Sequence, residues 1–213
     1  PMEVSRIRAL RGPNLWSRHT AIEAIVTCTA TEQGLNPLHP IEQQLRRIFP
    51  EVGPFDSLRP GQTITMAHAL EKVTLGLQTQ AGCPISFSRT TPTQEPGVYQ
   101  VVVEYSEESV GRQALELAEQ LCKAAIAGMG FDLEAAIAQL HELDEDVRLG
   151  PSTGAIVDAA VARGIPIRRL TDGSLVQFGW GAKQRRIQAA EIDTTSAIAE
   201  SIAQDKDLTK SLL

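Results

Sequence analysis

The chain has 213 residues, 42% of them hydrophobic and 22% charged, a length that holds one sizeable core or one complete domain plus a piece of another, and a balance that excludes disorder and fibrous architecture. Its formal net charge of -6 excludes nucleic acid as the default partner, because phosphate binding needs a cationic footprint. The acidity is local: residues 1–150 hold 12 Lys+Arg against 19 Asp+Glu, and residues 151–213 hold 8 against 7.

The opening stretch MEVSRIRAL alternates Met2, Val4, Ile7 and Ala9 with polar residues imperfectly before RGPN breaks it, which predicts a strand and a turn. AIEAIVTCTA predicts a second strand. PIEQQLRRIF then places Ile41, Leu45 and Ile48 at helical spacing behind a proline suited to a helix start. A second helix is predicted in ITMAHALEKVTLGLQTQAG, with Met66, Leu70, Val73, Thr74 and Leu77 on one stripe and a stop at Gly82. VYQVVVEYS, β-branched and aromatic behind Pro96-Gly97, predicts a central strand. Two helices follow, one from Ser109 to Gly128 and one capped by Asp132 that ends in the acidic group Glu142, Asp144, Glu145 and Asp146. LGPS marks a domain boundary, dividing the chain into 1–149 and 150–213.

Beyond it, STGAIVDAAVARG predicts a helix capped by Ser152 and closed by Gly164, and IPIRRL predicts a strand. SLVQFGWGAKQRRIQAA predicts a hairpin turning at Gly179 to Gly181. The Gly-x-Gly and three cations in GWGAKQRR lack the strand-then-helix context of a phosphate loop. TSAIAESIAQDKDLTKSLL predicts one helix running uncapped into the last residue, as expected of the front of a longer chain. The fold class expected is α+β, a mixed or antiparallel sheet with helices on one side. Cys28, Cys83 and Cys122 are odd in number and widely spaced, which predicts reduced thiols in a cytoplasm. No run of about 18 apolar residues and no signal core is visible, so no membrane partner is expected.

LRGPNLWS, PGVYQVVVEYSEESVGRQALELAEQLC, LGPSTGAIVDAAVARGIPIRRL and LVQFGWGAKQRRIQAAEIDTTSAIAESIAQDKDLTKSLL together resemble the cyanophycin synthetase family, from its N-terminus into its ATP-grasp domain. The resemblance implies an ATP- and Mg-using parent that builds a poly-aspartate backbone bearing arginine on each side-chain carboxylate. It implies that 1–149 holds the growing polymer and that 150–213 is the truncated front of the ATP-grasp ligase domain. This piece stops before the phosphate loop and metal carboxylates, so it is expected to need no cofactor and to ligate nothing alone. The partners implied are the polymer, the rest of the ligase chain and further copies in a homo-oligomer.

One short motif bears on chemistry. AHALEKV carries His68, Glu71 and Lys72, one residue short of the His-x-x-Glu-His zinc-hydrolase pattern. About 100° per residue puts the three on one face, opposite Met66, Leu70, Val73 and Leu77, which predicts a solvated or cleft-facing surface. A lysine ammonium has no lone pair for zinc. Members of the family that cut polymer with zinc are expected to use an upstream cysteine, where GPFDSL here offers Asp56. The alternative of a primer-generating zinc peptidase therefore rests on His68 and Glu71 alone, and that of a non-catalytic oligomerisation module needs neither. His19, His39 and His141 show no ligand spacing.

A polymer carrying guanidinium and carboxylate on every repeat calls for a surface of both signs. Arg6, Arg8, Arg11 and Arg18 crowd the first 20 residues, Glu104, Glu107 and Glu108 follow the central strand, and Glu142 to Asp146 close a helix. These are the expected polymer contacts, with simple solvation of exposed faces as the alternative. The resemblance adds Ser152 and Thr153 at the polymer end and Glu200 as a contact for substrate arginine.

Overall fold

The computed structural model describes residues 2–12, 14–16, 18–53, 55, 63–189 and 191–212. The chain divides into two units, Pro1–Val147 and Arg148–Leu213. In the first, strands β1 (Glu3–Leu10), β2 (Ala21–Thr27), β3 (Ser88–Pro92) and β4 (Val98–Glu104) form one antiparallel sheet in the order β1-β2-β4-β3. The register Ile22↔Val103 and Ala24↔Val101 puts Ile22, Ala24, Val26, Val101 and Val103 on one face, where they join the main core. Period-two alternation sends Glu23, Gln100 and Val102 to the other face. The imperfect alternation of the first strand is a bulge: its register shifts between Ser5 and Arg8, and Arg6 sits at φ 50°.

Helices α1 (Pro40–Ile48), α2 (Met66–Gln80), α3 (Glu108–Ile126) and α4 (Leu133–Val147) complete the unit. Pro40 starts α1 and His39 caps it, its Nδ1 accepting from the Ile41 amide at 3.3 Å. Asp132 caps α4 as expected, accepting from Ala135 N at 3.0 Å. Gly111 lets α3 settle on the sheet: a Cβ there would stand 2.6 Å from Tyr105 Cβ and 3.1 Å from Ile22 Cγ1.

The stripe read along α2 is buried as expected, but its opposite face is not solvated. Met66, Leu70, Val73 and Leu77 are fully buried, and so are Ala67, His68 and Glu71. α2 lies in contact with β3 and β4 as well as with α3 and α4, so its first turns are covered on both faces, with Lys72 half-buried. β3 had no forecast, because SRTTP is short, polar and ends in proline, which suits an edge strand and carries no apolar run.

In the second unit, α5 (Pro151–Ala162) precedes an antiparallel meander of β5 (Ile167–Arg169), β6 (Leu175–Phe178), β7 (Arg185–Gln188) and β8 (Glu191–Ile192), in the order β5-β6-β7-β8. The hairpin expected at Gly179 to Gly181 joins β6 to β7 through a single 3-10 turn at Gly181–Lys183. A small core of Val157, Val176 and Ile187 holds it. Two expectations are corrected here. Ser152 does not cap α5, because Gly150 is the cap and Pro151 takes the first helical position, leaving Ser152 one residue inside. The terminal helix is two, α6 (Ala197–Gln204) and α7 (Lys206–Leu212), divided at Asp205, whose Oδ1 accepts from the amides of Asp207 and Leu208 at 3.0 Å each.

Candidate functional site

The start of α2 is built from Thr65, the cap, and His68, three residues on. His68 Nδ1 accepts from the Thr65 amide at 3.2 Å and lies 3.1 Å from the Thr65 hydroxyl, closing a reciprocal capping box. The ring packs edge-on against Tyr99, with centroids 5.9 Å apart and planes at 63°. Beside Thr65 lies the Cys28 thiol, whose pKa burial pushes up to about 11 while Thr65 and the first amides of α2 pull it the other way. His68 is 3% exposed, so an imidazole that the helical wheel turns outward serves here as a cap inside the core.

One turn along, Glu71 is also 3% exposed. Its Oε1 accepts from Ser88 Oγ of β3 at 2.7 Å and meets Lys72 Nζ at 3.2 Å, while Lys72 Nζ donates to Ser88 Oγ at 3.1 Å. Three polar groups thus close a ring between α2 and the edge strand. The carboxylate that would activate a zinc-bound water in a hydrolase is held by an ammonium and a hydroxyl, and the ammonium repels a cation. Among the described residues no group of three or more His, Cys, Asp or Glu stands close enough to hold a metal. Asp56 lies outside the described residues.

The charges expected to form a two-signed docking surface are largely brought onto one another. Arg8 forks onto both oxygens of Glu23, one contact at 3.0 Å, and Gln100 Nε2 donates to the same carboxylate. Those bonds, from Arg8 first, hold Glu23 below the usual carboxylate range against its burial. Arg11 forks onto Glu108 at 2.6 and 3.2 Å, and Arg112 adds a bond at 3.0 Å, so Glu108 too is held low, chiefly by Arg11. Glu104 is buried, accepting from the amides of Ser86 and Phe87 at 2.9 and 2.8 Å, with His19 Nδ1 3.2 Å away. Arg6 and Arg18 are exposed, and Glu107 precedes α3 as its cap residue. Glu23, Gln100, Arg112 and Ser88 had no place among the expected contacts. Glu23 carried a signal, as the lone charge inside the apolar run AIEAIVT.

In the second unit Thr153 is buried and donates to the Ala189 carbonyl at 3.3 Å, tying α5 to the end of the sheet strands, while Ser152 is exposed. Glu200 on α6 accepts from Gln204 at 2.9 Å and shares a hydrogen bond with Glu191, which raises the Glu191 pKa. No helix among the described residues is long and apolar enough to cross a membrane.

Residues 44–127 match the family model described as the cyanophycin synthase-like N-terminal domain. The whole chain aligns with cyanophycin synthetases, at 37% identity with that of Trichormus variabilis, 34% with that of Geminocystis herdmanii and 32% with that of a Synechocystis species. In each case all of this chain is covered, but only 25%, 26% and 26% of the relative, so the chain spans about a quarter of the length of the curated relatives it matches.

Proposed function

Because it corresponds along its length to the N-terminal region of cyanophycin synthetases, we propose that the chain is the front of an ATP-dependent cyanophycin ligase and that residues 1–149 anchor the growing polymer without cutting it. Residues 150–213 open the ATP-grasp domain, whose ATP and Mg chemistry belongs to the longer parent. The parent is cytoplasmic and a homo-oligomer, and this piece alone ligates nothing. The observation that carries binding over cutting is the ring of Glu71, Lys72 and Ser88: the water-activating position is already held by a lysine. Anchoring needs only modest contacts, because weak sites repeated along one long ligand add through effective concentration.

Arg6 and Arg18 on the polymer's carboxylates, Glu107, Glu142, Glu145 and Asp146 on its guanidinium groups, and Ser152 and Glu200 at the ligase end are the contacts this reading assigns; Thr153, buried on the Ala189 carbonyl, and Asp144, buried beside Cys83, are structural instead. Arg8, Arg11 and Glu108 take part through their existing pairs, which present forked Arg–carboxylate units for exchange with the polymer's own, whereas Glu104, buried and held by the Ser86 and Phe87 amides with His19 beside it, supports the surface from beneath. The test is sedimentation of the purified chain with insoluble cyanophycin over a salt series. Retention that weakens as salt screens the contacts supports anchoring. Absence of retention at every salt concentration leaves the oligomerisation module, and stoichiometric zinc with hydrolysis lost in Glu71→Gln makes the chain a peptidase.

A further inference from the structure

α1 carries a cationic groove that none of the contacts assigned so far uses. Gln43, Arg46 and Arg47 share one face of α1 at the i, i+3 and i+4 spacing, and with Pro50, just past the helix end, they line a groove of about 380 Å³. Leu45 and Phe49 are buried, so the helix is fixed to the core by its other side while all four lining residues are exposed. Arg8, Arg11 and Arg112 are each committed to a carboxylate, but neither Arg46 nor Arg47 forms an ion pair with any described residue. In a chain with a net charge of -6, two adjacent guanidinium groups with no carboxylate partner among the described residues, Arg47 reaching only Gln44 Oε1 at 3.5 Å, are a local reversal of sign.

The groove is also partly organised in advance. A Cβ on Gly53 would stand 2.9 Å from Arg46 Cγ and 3.1 Å from its Cδ, so the backbone there braces the arginine stem. A braced stem loses less rotamer freedom when its fork closes on a ligand. The C-terminal end of α1 disfavours an anion by about half a charge, which two full cations outweigh. Planar forks match planar carboxylates in pairs, and the Gln43 amide, whose Nε2 already reaches the Pro37 carbonyl at 3.4 Å, has a second N–H to add beside them.

We propose that Gln43, Arg46 and Arg47 form a docking groove for a carboxylate-bearing chain, taking successive carboxylates on the two guanidinium groups. This rests on and deepens the anchoring reading, since it names where the acidic groups of a polymer seat. The probe is poly-L-aspartate, titrated into the 213-residue chain at low ionic strength and read by calorimetry. Arg46→Gln/Arg47→Gln weakens binding about tenfold or more, the loss of two charge-assisted forks, whereas Arg168→Gln/Lys206→Gln, with the same change of net charge, weakens it less than about twofold. An equal loss in both pairs makes the binding diffuse electrostatics and overturns the proposal, as does unchanged binding in the first pair.

Inorganic phosphate at the same anion concentration leaves poly-L-aspartate bound; full displacement makes this a site for a compact oxyanion and also overturns it. If Arg46→Gln/Arg47→Gln unfolds at a lower temperature than the parent, Arg46→Lys/Arg47→Lys replaces it and still weakens binding, since lysine keeps charge but cannot fork. Cyanophycin retention separates the two readings. Retention that survives Arg46→Gln/Arg47→Gln sinks the groove and keeps the anchor, whereas poly-L-aspartate binding without retention sinks the anchor and keeps the groove.

Discussion

Replacing Lys72 with methionine tests whether the Glu71–Lys72–Ser88 ring is structural. The substitution keeps the length of the stem and removes the ammonium that lies 3.2 Å from Glu71 and 3.1 Å from Ser88 Oγ. Glu71 stays behind as a carboxylate at 5% side-chain exposure with only the Ser88 hydroxyl as its remaining partner from the ring. Breaking a fully buried pair costs about 3–5 kcal/mol. Lys72 keeps 28% of its surface in water, which screens the pair and lets solvent reach the vacated space, so the expected loss is about 1–3 kcal/mol. For a unit of this size that lowers the midpoint of thermal unfolding by roughly 3–10 °C. The assay is a double-mutant cycle by chemical denaturation with Lys72→Met, Glu71→Gln and both together. The coupling expected is about 1–3 kcal/mol, because Lys72→Met costs little once Glu71 is neutral. A coupling below about 0.3 kcal/mol would refute the ring and leave Glu71 available as a base.

Three further outcomes follow from the packing and the ion pairs. Glu23 and Glu108 titrate below the ordinary 4.5 in the folded chain, so their stabilisation is present above that value and is lost as pH falls through the folded pKa; Glu23→Gln therefore unfolds more easily at neutral pH, and its deficit closes in acid, which urea titrations across the pH range measure. Gly111→Ala drives a methyl into Tyr105 and Ile22, costing about 1–3 kcal/mol despite better helix propensity, and a stability equal to the parent's contradicts the packing of α3 on β2. Cys28, Cys83 and Cys122 are free and buried, each with its thiol pKa pushed up chiefly by burial, so at pH near 8 a thiol reagent labels them only as fast as the chain opens; rapid labelling in the native state contradicts their placement.

Periodicity was enough to read the elements that bury a continuous stripe. AIEAIVT and VYQVVVE are too β-branched to be anything but inner strands, and the spacing of Leu45, Val73 and Leu121 declares three helices. β3 escaped because an edge strand needs no apolar face, and the division at Asp205 escaped because side-chain capping, not hydropathy, makes it. The site was half legible. The wheel places His68, Glu71 and Lys72 together, but it reports one helix and not its neighbours; Tyr99 of β4 and Ser88 of β3 pack against α2 and bury what the wheel turns outward. Opposite charges far apart in sequence, such as Arg11 and Glu108, looked like two patches because pairing across 97 residues depends on the sheet register and on where α3 starts.

The central claim is that this region holds the polymer and leaves it whole. Insoluble cyanophycin incubated with the chain, with and without added zinc, then sedimented and sized on a denaturing gel, measures both halves at once. The account predicts chain in the pellet at low salt, release at high salt, and polymer of unchanged length under every condition. Shortened polymer that depends on zinc, or polymer that pellets without the chain, would contradict it.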